Sequence, residues 1–107
     1  MDENLKKIKE IILKVANEMK IEIDKIILFG SRARGDYKEE SDYDILIVTK
    51  EKLEREKEKK LDSKIRIGII NLLDVSIDLF IVSKEEFERY KDVKWSISGA
   101  AASGIVI

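Results

Sequence analysis

Histidine, cysteine, proline and glutamine are all missing from this 107-residue chain, and threonine occurs once, at Thr49. Without His or Cys there is no Ser-His-Asp triad, no Cys-His nucleophile, no zinc site built on those ligands and no disulfide framework. Carboxylates, hydroxyls and basic groups remain, a set suited to hard metal ions. No apolar run approaches the length of a membrane span, and Met1-Asp2-Glu3-Asn4 lacks a signal-peptide pattern, so a cytoplasmic location is expected. A formal net charge of -1 leaves no electrostatic footprint for a long nucleic acid.

What is present is 44% hydrophobic and 40% charged, with no composition break or low-complexity linker, which predicts one domain over residues 1–107. Leu5, Ile8, Ile12, Val15 and Met19 recur at helical spacing and predict a helix from about Glu3 to Met19 with a core-facing stripe. Lys25–Phe29 and Tyr43–Thr49 read as buried strands. In Val75–Val82 the alternation puts Val75, Ile77, Leu79 and Ile81 on one face and Ser76, Asp78, Phe80 and Val82 on the other. The charge run Lys50–Lys60 reads as a solvated helix, which either continues through Ile65, Ile69 and Leu72 or breaks near Asp62-Ser63. Ser83-Lys84-Glu85-Glu86 is a capping box for a helix to about Tyr90. In the tail, Gly99–Gly104 suggests a small-residue helix ended by Gly104 and followed by a short strand at 105–107. Its face suits internal packing or a partner.

The chemistry concentrates in Phe29-Gly30-Ser31-Arg32-Ala33-Arg34-Gly35-Asp36 and the following Ser41-Asp42-Tyr43-Asp44. Gly30-Ser31 ends a strand with a residue that allows close approach of a backbone or a phosphate. Ser31 is expected to cap a short helix through about Asp36, its hydroxyl and the first-turn N–H groups facing a triphosphate. Arg32 and Arg34 suit phosphate neutralisation, although Arg34 has Asp36, Asp42 and Asp44 as alternative partners. Asp42 and Asp44, at i and i+2, project to one face of the second strand, where they repel unless a cation lies between them. Oxygen-only ligands point to magnesium or manganese. Asp78 is a lone charge in an apolar strand, a third ligand or a strand-edge residue facing water. Gly-Ser is also an ordinary turn, and Asp42 an ordinary cap; neither explains two acids on one face.

Gly30-Ser31, ten intervening residues and Asp42-Tyr43-Asp44 resemble the signature of the polymerase-beta-like nucleotidyltransferase superfamily, and Gly30–Gly35 looks like its minimal nucleotidyltransferase branch. The resemblance implies an α/β nucleotidyltransferase fold, a small mixed β-sheet packed with helices; for Ser31 to meet Asp42 and Asp44 the first two strands must run antiparallel, and the third must bring Asp78 alongside. It implies Mg2+-dependent transfer of a nucleoside monophosphate from ATP to a hydroxyl, with Asp42 and Asp44 as metal ligands and Asp78 as ligand and base. Larger members add a helical or second domain for acceptor or nucleobase binding, which is not expected of a minimal member. Minimal members pair, as antitoxins, with a helical HEPN RNase toxin, and some transfer AMP to its tyrosine. Three readings follow: an adenylyltransferase antitoxin, a binding-only antitoxin with a vestigial nucleotide site, and an enzyme acting on a small hydroxylated molecule.

Overall fold

In the computed structural model, which describes residues 2–107, the Asp2 carboxylate accepts a hydrogen bond from the Leu5 N–H at 2.6 Å and caps α1 (Glu3–Glu18). Leu5, Ile8 and Ile12 are buried as the spacing predicts, while Ile11 and Ala16 complete the core face and Val15 and Met19 pack at its margin. Four strands form one sheet in the order β3-β2-β1-β4, made of β1 (Ile23–Phe29), β2 (Tyr43–Thr49), β3 (Ile77–Ser83) and β4 (Ile105–Val106). β1 pairs antiparallel with β2 and with β4, whereas β2 and β3 are parallel. The parallel pair needs a crossover, and α3 (Arg55–Leu72) supplies it.

The charge run is helical only from Arg55, and the helix passes Asp62-Ser63 unbroken. Leu61, Ile65 and Ile69, four residues apart, are fully buried, and an Arg66–Asp62 pair at 2.9 Å spans the position where a break was an alternative. Burying one face of a continuous helix outweighs the weak helix preference of Asp and Ser.

Both faces of the sheet are covered. Ile26, Leu28, Tyr43, Ile45, Ile47 and Leu79 face α1 and α3 in the larger core. On the other face Ile27, Phe29, Leu46, Val48 and Val82 form a smaller core with Phe87 and Ala101. These last two come from α4 (Lys84–Tyr90) and α5 (Ile97–Ala102). The Ser83 hydroxyl accepts from the Glu86 N–H at 3.1 Å, the capping bond expected of that motif. The tail helix lies two residues earlier than its glycines suggested, because the Ser96 hydroxyl caps it by accepting from the Gly99 N–H at 2.8 Å. Ala101 is buried within the chain, so at that position the small-residue face serves internal packing. No helix among the described residues is long and apolar enough to cross a membrane.

Candidate active site

The chain reverses direction at the end of β1, and Gly30 makes the turn with φ 73° and ψ -157°. The Gly30 carbonyl accepts from the Ala33 and Arg34 N–H groups at 3.1 Å each, opening the short helix α2 (Ser31–Arg34). Ser31 is therefore not the cap, and the helix does not reach Asp36. A cap residue needs non-helical backbone angles, and Gly30 reaches these after the strand, leaving Ser31 as the first helical residue. Gly35, left-handed at φ 88°, ends the helix with its N–H on the Ser31 carbonyl at 2.9 Å.

Gly30 has a second constraint. A Cβ on it would overlap an Asp44 carboxylate oxygen and stand 3.0 Å from the Asp44 Cγ. The expected close approach is thus made by a carboxylate of the next strand. Strand register brings this about, since Phe29 pairs with Asp44 across β1 and β2, and Asp44 pairs with Asp78 across β2 and β3. Asp44 and Asp78 lie on the same sheet face as the smaller core, beside a Phe29–Phe80 ring pair with centroids 6.1 Å apart. Asp42 stands one residue ahead of β2.

Asp44 is half-buried, whereas Asp42 and Asp78 are exposed. Asp78 is the second residue of an edge strand, so the burial expected for a charge within an apolar strand does not arise. Burial raises the Asp44 carboxyl above the usual carboxylate range; the Asp78 charge, a hydrogen bond with Asp78 and the Asp42 charge add to it, and Arg34 opposes them. The fold therefore assembles acids that resist being ionised together. Among the described residues no three acidic side chains are drawn together tightly enough to form a ready-made ion cage. The donor chemistry nevertheless fits a hard divalent ion: carboxylate oxygens only, in mutual repulsion, at an open strand end where other oxygens can complete the shell.

The two arginines have different surroundings. The Arg34 Nε is 3.4 Å from Asp36, an exposed pair of little strength. Arg32 instead donates from Nε to the Ser41 carbonyl at 3.0 Å and from Nη2 to the Glu39 carbonyl at 2.9 Å. Its guanidinium carbon lies 4.0 Å from the Tyr43 ring centroid and 4.6 Å from that of Tyr37. Tyr43, buried on the opposite face from Asp44, donates its hydroxyl to Asp2 at 3.2 Å, which ties the start of β2 to the α1 cap. The phenol is pushed up chiefly by burial, so it remains a donor. Sequence reading placed Gly30, Ser31, Asp42, Asp44 and Asp78 at one end of the sheet, where they are found, but missed the Asp2–Tyr43–Arg32 connection. The available signal was a cation with tyrosines five and eleven residues downstream.

The nucleotidyltransferase domain profile matches residues 5–99, nearly the whole chain. Two Methanocaldococcus jannaschii proteins assigned by name to the protein adenylyltransferases, MJ0141 and MJ0604, are 54% and 60% identical to it over 44 and 43 residues. Those segments are 41% and 40% of this chain, which spans less than half of these relatives' length, 44% and 43%. A crystal structure of a Sulfolobus solfataricus protein named as a nucleotidyltransferase superimposes with a TM-score of 0.61, covering 96% of this chain and 80% of that one at 23% identity. This agrees in fold with the mixed sheet described above. From the profile match, joined to the register that brings Gly30, Asp44 and Asp78 together, the chain belongs to the nucleotidyltransferase domain family.

Proposed function

We propose that this chain is a Mg2+-dependent adenylyltransferase antitoxin that transfers AMP from ATP to a hydroxyl, that of a tyrosine, on a helical HEPN RNase toxin and so neutralises it. The observation that carries the transferase reading is the packing of Gly30 against Asp44, with Asp78 in register beside it. A structural turn has no need to hold repelling acids against a residue without a side chain. The names of the two Methanocaldococcus relatives support a protein as acceptor, and the resemblance of Gly30–Gly35 to minimal nucleotidyltransferases supports the toxin as that protein.

In this reading Asp42, Asp44 and Asp78 hold the metal, and Gly30, Ser31 and Arg34 face the triphosphate. When bound, the divalent cation supplies charge neutralisation at the phosphates and at the attacking oxygen. The acceptor oxygen bonds to the α-phosphorus, the bond from that phosphorus to the bridging oxygen breaks, and pyrophosphate leaves. The Asp78 carboxylate takes the hydroxyl proton. It is exposed, as a group that meets a macromolecular acceptor must be.

The test is intact-mass measurement of the protein encoded beside this one after incubation with this chain, Mg2+ and ATP, against the Asp42→Asn, Asp44→Asn double variant. Added AMP in the first sample and none in the second is expected. An unmodified neighbour that is still bound and silenced would instead establish a binding-only antitoxin. An unmodified neighbour that does not bind would remove the antitoxin reading and leave small hydroxylated acceptors.

A further inference from the structure

Asp42 is the acid with the least support from the sheet. It is exposed, lies outside β2, and follows the loop Gly35–Ser41. Its backbone is nevertheless held on both sides. Behind it, the peptide joining Tyr43 is fixed by the Tyr43 N–H on the Ser76 carbonyl at 2.9 Å. Ahead of it, the peptide joining Ser41 is fixed by Arg32 Nε on the Ser41 carbonyl at 3.0 Å. Two anchored peptide planes leave a residue little freedom in φ and ψ, so the direction of the Asp42 side chain depends on Arg32.

We propose that Arg32 is a positioning residue: it clamps the Gly35–Ser41 loop and thereby aims Asp42 at the metal, and it is not a phosphate ligand. The inference rests on the transferase reading above for what Asp42 does. The geometry of the clamp stands apart from it. One edge of the guanidinium is spent on the Ser41 and Glu39 carbonyls, and its flat surface is engaged by the rings of Tyr43 and Tyr37. The loop adds its own closure, with the Lys38 N–H on the Ser41 hydroxyl at 2.9 Å and the Ser41 N–H on the Lys38 carbonyl at 3.0 Å. Tyr43 is anchored in turn by its hydroxyl on Asp2, so the clamp bears on a fixed surface. Only a planar fork does this, because an ammonium lacks both the paired donors and the flat face.

The test compares the parent chain with Arg32→Lys and Arg32→Met by three readouts. Cleavage by a glutamate-specific protease at Glu39 and Glu40 reports the loop, Mn2+ alone titrated by electron paramagnetic resonance reports the acids, and AMP-transfer kinetics report the consequence. Faster cleavage is expected in both variants, with Mn2+ affinity lowered about ten- to hundredfold, as for lost outer-shell support of a metal ligand. Transfer should lose kcat with little change in the KM for ATP, and Arg32→Lys should not rescue it. A loop still protected in both variants, an unchanged Mn2+ affinity, or a raised KM at unchanged kcat would each overturn the proposal. Should the parent chain transfer no AMP, the transferase reading fails, while the protease and Mn2+ measurements still decide the role of Arg32.

Discussion

At φ 73° and ψ -157°, Gly30 occupies backbone space that is essentially closed to residues with a Cβ, and the Asp44 carboxylate fills the volume such an atom would need. Both constraints act on one substitution. Gly30→Ala is expected to lower stability by about 1–3 kcal/mol from the backbone alone. The displaced Asp44 should weaken Mn2+ binding as well, and urea unfolding together with Mn2+ titration checks the pair of effects. Unfolding at the parent midpoint with normal Mn2+ affinity would mean that the turn relaxes without moving Asp44. That this position needs glycine was legible in Gly30-Ser31 at a strand end. That the close neighbour is Asp44 follows only from the pairing of Phe29 with Asp44.

At the scale of the element, α3 separates the two kinds of apolar residue a helix carries. Ile65 is fully buried against the core, whereas Ile67, two residues on and about 200° around the same helix, is 58% exposed. Ile65→Ala should cost about 2–5 kcal/mol, the range for truncating a buried aliphatic side chain. Ile67→Ala should stay within about 0.5 kcal/mol of the parent. Chemical denaturation of the two variants is the measurement, and equal costs would contradict the packing of α3 on the sheet. The sequence left the helix open to a break at Asp62-Ser63, since local preference is weak there. Continuity is decided by what Leu61, Ile65 and Ile69 meet, which lies on α1 and β3.

Across the whole molecule, repulsion at the sheet end makes stability depend on pH and cations. A raised Asp44 pKa means that the folded state holds this proton more tightly than the unfolded chain does. Below the ordinary carboxylate range both states are protonated, and Asp44 costs nothing. As pH rises from the ordinary carboxylate range through the folded value that balance is lost, and above the folded value the penalty is complete. Asp44→Asn should therefore melt higher than the parent at neutral pH, with the difference closing as pH falls into the carboxylate range. Mg2+ should raise the melting temperature of the parent more than that of Asp44→Asn, because it relieves the same repulsion. Thermal melts across pH, with and without Mg2+, test both statements. A lower melting temperature for Asp44→Asn at neutral pH would show that its contacts outweigh the repulsion.

The features legible in the sequence alone are those whose physics is local. The helical stripe of α1, the apolar run of β2, the alternation read along β3, and the Ser83 cap depend on residues within a few positions of one another. The i, i+2 placement of Asp42 and Asp44 suggested two acids on one face. Their spacing from Gly30-Ser31 pointed to the site through its resemblance to the nucleotidyltransferase signature, although Asp42 itself lies outside β2. Tertiary structure decided the rest. The order β3-β2-β1-β4, the contact of Gly30 with Asp44, the pairing of Asp44 with Asp78, and the clamp of Arg32 on the Ser41 and Glu39 carbonyls all join groups whose meeting depends on chain reversal and register. Local propensity is silent on such meetings, because it is the shared burial of both sheet faces that selects one register among many.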